Sequence, residues 1–347
     1  MRIDGAGYRS DNGQRRLPQD GIDWTSIELL IELMAEPDTH DPFDEEAGDG
    51  QGKSHPRQDN FAQISVYAAT IFAEQHRLHH FTLLILGHMA RIVRWDRSGV
   101  FVTHKFDYTR EPLKLARFLW RFAHLTDAQR GRDPTATPVL RADDDYALMC
   151  LRRDTPRTVG QHAMQEHARS MFAQTFTNKT QPYRLEVYDE ELEATRFFLV
   201  GEPFFASDGL IGRGTRGYVA LETTAPEDHE GKRVEVKDWP NHAFVWLKDS
   251  WRIAHEEIEQ EGSILRRLND ADVPGVPHLV CHHDVEGQMT WTQRRWLVQN
   301  SDKVPQDSPL KTRAHYRLVV QEVCLPMHQF ENGEDLVYLL ARCIRGK

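Results

Sequence analysis

The chain has few cysteines and no pair of them spaced like a metal or redox motif. Its 347 residues contain four cysteines, and none of these stands in a CxxC spacing. Secreted disulfide scaffolds and zinc ribbons depend on closely spaced cysteines. We therefore expect reduced thiols in a protein of the cytoplasm or nucleus. The four residues are Cys150, Cys281, Cys324 and Cys343.

Long apolar runs and an excess of positive charge are also absent. The longest apolar run, residues 83–86 with flanking Phe81, is far too short to span a bilayer, and the N-terminus lacks a signal-peptide core. The formal net charge is −10 and the pI is about 6.0, which gives no bulk attraction to nucleic acid or acidic membranes. We expect an intracellular chain that binds neither nucleic acid nor a membrane.

The residues that are present allow a folded chain of about two domains. Apolar residues make up 39% and charged residues 28% of the sequence, enough for a core beside polar segments. The patterns predict an α+β protein, with an N-terminal α+β module followed by an antiparallel sheet that has one inserted helix. The predicted ranges are 1–60 for an N-terminal helix and a flexible acidic segment, 61–182 for an accessory α+β domain, and 183–347 for the sheet and its helix.

Periodicity also predicts the individual elements. Residues 96–99, with the sequence DRSG, predict a hairpin turn between two strands. We expect helices at 24–35, 61–78, 112–125, 161–175, 253–268 and 334–344, and strands at 81–86, 91–95, 100–106, 184–188, 195–205, 217–222, 242–248, 288–298 and 316–323.

One glycine pattern carries most of the functional signal. Gly212, Gly214, Gly217 and Val219 fit GxGxxGxV, the glycine-rich loop of protein kinases. Glycine lets backbone N–H groups approach phosphate closely, which a nucleotide triphosphate requires. The pattern lies between two predicted strands, and a dinucleotide-binding fold would instead place it at the start of a helix. The alternative is a glycine-rich hairpin that binds no ligand.

A lysine and a glutamate downstream extend this pattern. Lys248 lies on a predicted strand, and Glu261 lies on the predicted helix at 253–268, on the same stripe as Ile258, Ile264 and Leu265. A carboxylate on a buried face needs a cationic partner, so we predict a Lys248–Glu261 pair. The alternative is a solvated lysine and a glutamate that only borders the stripe.

Several segments together resemble the fungal-type protein kinase family of mushroom-forming fungi. The resemblance extends from about Trp24 to the end of the chain. The segments that carry it are IGRGTRGYVAL, FVWLKDSWR, EGSILRRLNDADVPGVPHLV and VVQEVCLP, and, nearer the N-terminus, FAQISVYAATIFAEQHRLHHFTLLILG and ARIVRWDRSGVFVTHKF.

The resemblance implies ATP-dependent phosphorylation of protein serine or threonine. It implies that residues 183–347 form a kinase small lobe and hinge, and that Lys248 contacts the α- and β-phosphates while Glu261 fixes this lysine. Glu322 matches the acidic residue that opens the hinge, and the backbone of Glu322 and Cys324 is expected to bind the adenine edge. Leu325 and Pro326 would continue the hinge. The protein partner or substrate is not indicated.

The sequence departs from the kinase pattern in ways that affect activity. No HRDxxxxN or DFG motif follows the hinge, so the catalytic base and the residues that hold magnesium are not found. The large lobe is therefore expected to be missing, and we predict no phosphoryl transfer by these residues alone. Trp246 stands where typical kinases have a small residue over adenine. The alternative function is a non-catalytic module that binds ATP or a protein.

Two histidine-containing clusters are weak candidates for metal sites. His76, His79 and His80 have a helical spacing that can bind a metal, but they lack a matching set of carboxylates or cysteines. Residues 281–284, with the sequence CHHD, alternate between the two faces of a strand and cannot converge on one ion. We therefore predict no metal site.

Overall fold

A computed structural model describes residues 3–8, 22–47, 50–155, 163–223, 244–303, 308–324, 330 and 332–345. Within these residues the chain is a mixed α+β protein with two sheets and seven helices, which confirms the predicted class. Two predicted hinge residues, Leu325 and Pro326, lie outside the described residues.

Fourteen strands are numbered in chain order. They are β1 (Gly5–Tyr8), β2 (Ile27–Met34), β3 (His80–Leu86), β4 (Met89–Asp96), β5 (Gly99–Val102), β6 (Phe106–Asp107), β7 (Ala136–Pro138), β8 (Tyr183–Asp189), β9 (Ala194–Val200), β10 (Phe205–Ala206), β11 (Arg216–Glu222), β12 (Phe244–Ile253), β13 (Leu279–Met289) and β14 (Arg313–Val320).

The helices are numbered in the same way. They are α1 (His55–Glu74), α2 (Pro112–Ala123), α3 (Asp144–Asp154), α4 (Ala163–Thr175), α5 (Glu261–Asp270), α6 (Thr292–Gln299) and α7 (Gly333–Arg345). Of these, α3 and α6 were not predicted from the sequence.

The chain divides into two compact units. The first comprises Met1–Pro134, Asp208–Gly214 and Met289–Arg313, and the second comprises Thr135–Ser207, Thr215–Gln288 and Ala314–Lys347. Each unit therefore contains segments from distant parts of the sequence. Whether 1–60, 61–182 and 183–347 are independent domains remains a prediction.

The first unit is a sheet covered on both faces. Its strands lie in the order β1-β2-β3-β4-β5, with β6 beside β4, and only the β2–β3 pair is parallel. Helix α1 is the crossover between these parallel strands and packs on one face through Ile64, Ala68 and Phe72. Helix α2 packs on the other face, where Phe122 meets Leu29 and Leu83. The predicted hairpin turn at 96–99 is confirmed, because Asp96 pairs with Gly99.

The helix predicted at 24–35 is wrong, because most of this segment is strand β2. Residues 27–34 pair with β1 on one side and with β3 on the other. Their sequence, IELLIELM, is a short and nearly continuous apolar run, which periodicity alone cannot assign to helix or strand. The two neighbouring strands decide the outcome.

The second unit is built on a sheet with the order β13-β14-β12-β11-β9-β8-β7, with β10 beside β11. One face packs a core that includes Leu185, Phe198 and Leu247. The opposite face is covered in two places: α3 and α4 pack over Val219 and Phe244, and α5 packs over the β14 residues. Trp246 borders both of these clusters.

Two further elements differ from the prediction. The helix predicted at 253–268 begins only at Glu261, because β12 continues to Ile253. The strand predicted at 288–298 is wrong, because β13 ends at Met289 and residues 292–299 form α6. The carboxylate of Asp96 accepts the N–H groups of Trp291 and Thr292, at 2.8 and 3.0 Å, and so caps the first turn of α6.

Candidate functional site

The predicted lysine and glutamate meet in the second unit. Lys248 lies on β12 and Glu261 is the first residue of α5, and the Lys248 Nζ is 2.5 Å from the Glu261 Oε2. The side chain of Lys248 is 24% exposed and that of Glu261 is 54% exposed. An ion pair this exposed adds little to stability. The pair matters because it brings a cation from β12 and a carboxylate from α5 into contact.

The position of Glu261 corrects part of the sequence argument. The prediction placed this residue on the buried stripe of a longer helix, where burial would force it to find a partner. Glu261 instead opens α5, and its side chain is more than half exposed. At a helix N-terminus the helix dipole itself favours a carboxylate.

A cleft of about 590 Å³ adjoins this pair within the second unit. Such a volume is in the range of small-molecule sites, which are mostly apolar with a few polar groups. Lys248, Glu259 and Glu261 provide the charged groups. The remaining lining is largely apolar: Trp246, Ile264, Leu265, Leu268, Pro277, Leu318 and Val320. The cleft therefore combines an apolar wall with one lysine and two glutamates.

Gly217 and Val219 lie on β11 directly beside the lysine strand. Gly217 pairs with Lys248, and Val219 pairs with Trp246. A Cβ atom on Gly217 would lie 2.3 Å from the Trp246 Cζ2, so the indole occupies the space that a side chain at 217 would need. Phe204 packs edge-on against the same indole at a centroid distance of 6.4 Å. Packing against Trp246 is thus a sufficient physical reason for glycine at 217.

Gly212 and Gly214 belong to the first unit, in the segment 208–214. Arg97, from the turn between β4 and β5, donates from Nη1 to the carbonyl oxygens of Gly209 and Leu210, at 2.9 and 3.1 Å. The Gly212 N–H donates to the Arg97 carbonyl oxygen at 2.9 Å. A Cβ atom on Gly214 would lie 2.4 Å from the Arg97 Cζ. Both glycines also have positive φ, 124° at Gly212 and 48° at Gly214, which favours glycine.

The two hinge candidates have different surroundings. The Glu322 carboxylate accepts the His278 N–H at 2.8 Å and contacts the His278 Nδ1, so its side chain joins the chain just after β14 to the start of β13. Cys324 is exposed. The adenine-binding role of their backbone groups remains a prediction.

The support of α5 was not found from the sequence. The Gly262 N–H donates to the Tyr316 hydroxyl at 2.8 Å, and the His282 ring lies against Gly262. Both side chains are buried. Gly262 itself is the signal that the sequence offers, because glycine is disfavoured within a helix and its lack of a side chain lets another group pack closely on the backbone.

The described residues contain neither a metal-binding cluster nor a membrane-spanning helix. No group of three or more histidine, cysteine, aspartate or glutamate side chains is arranged to hold a metal ion among the residues that the structure describes. Within the same ranges, no helix combines the length and apolar character needed to cross a membrane.

The chain matches the model of a known protein family. A family model described as fungal protein kinase matches residues 48–347, which is most of the chain. No curated protein matches the sequence significantly, and no solved structure matches it either.

Proposed function

Because the chain belongs to the fungal protein kinase family, we propose that its second unit binds ATP through Lys248 and Glu261. The observation that carries this proposal is the 2.5 Å contact between these residues at the edge of the 590 Å³ cleft. In kinases a lysine on a sheet strand contacts the α- and β-phosphates, and a helix glutamate fixes its position. The arrangement of β12 and α5 supports the same two roles here.

The lining of the cleft is suited to the two chemical parts of ATP. Leu318, Val320 and Leu265 offer an apolar surface to an adenine ring, and Lys248 offers a cation to the phosphates. Gly217 and Val219 pair with Lys248 and Trp246 from the adjacent strand β11, and both are buried behind the cleft lining. Val323 is buried, and the neighbouring backbone of Glu322 and Cys324 is the proposed partner of the adenine edge.

The resemblance further implies transfer of the ATP γ-phosphate to a protein serine or threonine. The 347 residues contain no HRD or DFG motif, so a catalytic base and magnesium ligands would have to come from residues outside them. We therefore propose that this part of a kinase holds ATP without transferring phosphate by itself. On this account residues 183–347 act as a small lobe and hinge, in the cytoplasm or nucleus.

Two observations favour a second candidate, a non-catalytic module that binds a protein partner. Trp246 contributes an indole to the cleft at the position where typical kinases have a small residue. The Gly212 N–H, which the resemblance assigns to phosphate, is already bonded to the Arg97 carbonyl oxygen. A module of this kind would keep the kinase fold while ATP binding was weak or lost.

Titration with a fluorescent ATP analogue separates the two candidates. We expect saturable binding by the wild-type chain and a loss of at least about tenfold in affinity for Lys248→Ala, since charge-assisted contacts contribute roughly 1.5–3 kcal/mol. Lys179→Ala is the matched control, because Lys179 is an exposed lysine of the same unit. Absence of saturable binding in all three proteins would contradict the ATP proposal and favour the protein-binding module.

A further inference from the structure

Helix α5 begins without a cap from its own sequence. Its N-cap residue, Gln260, makes no side-chain cap hydrogen bond. The first N–H groups of a helix have no partners inside the helix and need acceptors from elsewhere. Here the Gly262 N–H donates to the hydroxyl of Tyr316, which reaches it from β14 at 2.8 Å. A neighbouring strand therefore supplies part of the cap.

The same turn is held by a second buried ring. His282, on β13, is 2% exposed, and a Cβ atom on Gly262 would lie 2.1 Å from its Cγ. The rings of His282 and Tyr316 are 5.9 Å apart. Burial lowers the pKa of His282 and raises that of Tyr316, so both rings are neutral at pH 7. Any larger residue at 262 would displace either the helix or the imidazole.

These contacts fix the residue that follows Glu261. The Glu261 side chain is 54% exposed, and an exposed ion pair alone does not hold two long side chains in one geometry. The Gly262 backbone is buried and is bonded to a rigid strand residue, so it determines the direction in which the Glu261 side chain leaves the helix. The start of α5 is therefore ordered by the contacts of Gly262, and the ion pair does not have to order it.

We propose that Tyr316 is a positioning residue whose hydroxyl, through the Gly262 N–H, holds Glu261 against Lys248. This role rests on the proposed ATP site, because a correctly placed Lys248 is what would contact the phosphates. Tyr316 does not line the cleft and is not a catalytic residue.

The affinity test uses Tyr316→Phe, which removes only the hydroxyl. We expect about fivefold weaker binding of the fluorescent ATP analogue, which corresponds to roughly 1 kcal/mol. In a Glu261→Gln background the same substitution should change affinity by less than about twofold, because the carboxylate that it positions is gone. Tyr218→Phe is the control: Tyr218 is an equally buried tyrosine, and its side chain points into the core on the opposite face of the sheet.

A second measurement does not depend on nucleotide. Lys248 is acylated with an amine-reactive ester, and its labelling rate is read by peptide mass spectrometry. Loss of the ion pair should make the amine more reactive, so we expect at least about twofold faster labelling in Tyr316→Phe and no change in Tyr218→Phe.

The outcomes separate the positioning role from the ATP proposal. Faster labelling of Lys248 without ATP binding in the wild-type chain would support the role of Tyr316 and contradict the ATP site. An unchanged labelling rate in Tyr316→Phe would overturn the positioning role. So would an equal loss of ATP affinity with and without Glu261, or in Tyr218→Phe.

Discussion

The glycines of one sequence pattern make different contacts in the two units. In the second unit, Gly217 lies in strand β11 and pairs with Lys248, beside the apolar cleft. In the first unit, Gly212 and Gly214 lie in a segment bonded to Arg97. A pattern that is continuous in sequence is thus divided between two sets of contacts. Three glycines at kinase spacing therefore need not be required for one physical reason.

We expect the greatest loss of stability from a substitution at Gly217 in the second unit. Gly217→Ala would place a Cβ atom 2.3 Å from the Trp246 indole, and we expect a loss of about 3 kcal/mol in unfolding free energy from overpacking. Urea unfolding measures this loss. Gly333→Ala is the control, because no atom lies within 4 Å of a Cβ there. Similar stability of Gly217→Ala and wild type would show that Trp246 is not what requires this glycine.

A somewhat smaller effect is expected in the first unit. Gly214→Ala would bring a Cβ atom to 2.4 Å from the Arg97 guanidinium at a φ of 48°. We expect a loss of about 2 kcal/mol in unfolding free energy. In an Arg97→Ala background the steric part of this loss should disappear, so the two substitutions should be non-additive. Additive losses of unfolding free energy would contradict the packing explanation. So would a Gly214→Ala variant that loses ATP affinity without losing stability, and that result would favour a contact between this glycine and phosphate.

The smallest expected effect is a pH dependence specific to the first unit. Burial, followed by the nearby Asp4 carboxylate, raises the pKa of Glu32 to about 7. Between the unfolded value of 4.5 and this value, the folded state binds more protons than the unfolded state, so stability falls as pH rises through that window. We expect Glu32 to lower the unfolding free energy by about 1–2 kcal/mol between pH 5 and pH 7.

Glu32→Gln should remove this part of the pH dependence, since the amide does not titrate. Thermal unfolding at pH 5, 6 and 7 measures it, with Glu36→Gln as a control at an exposed position of the same region. Identical slopes against pH for the two variants would contradict the assignment to Glu32.

The sequence predicted the parts of the fold that depend on local pattern. Helix α2 and the turn at 96–99 follow from proline, periodicity and turn residues, and the structure has both. Strand β2 was missed because its apolar run resembles a buried helix, and its partner β3 is separated from it by a whole crossover helix. Helix α6 was missed because its cap, Asp96, is distant in sequence.

The charged pair of the candidate site was predictable from sequence, but the contacts of its glycines were not. Lys248 and Glu261 are recognisable from their places in the kinase-like pattern, and the structure brings them together. The burial that was expected to force this pairing is absent, because the Glu261 side chain is more than half exposed. The contacts of Gly212 with Arg97 and of Gly262 with Tyr316 and His282 join residues far apart in the chain. Glycine itself indicates only that space or an unusual φ is needed, not which neighbour requires it.

Labelling with an acyl phosphate of ATP shows whether Lys248 lies beside bound phosphates. In this reagent a lysine beside the bound phosphates attacks the acyl group and releases ATP, so the labelled residue reports the site. We expect Lys248 to be the main labelled lysine, free ATP to compete with the labelling, and Lys248→Ala to abolish it. Labelling spread over exposed lysines such as Lys179, unaffected by free ATP, would contradict an ATP site at Lys248 and Glu261.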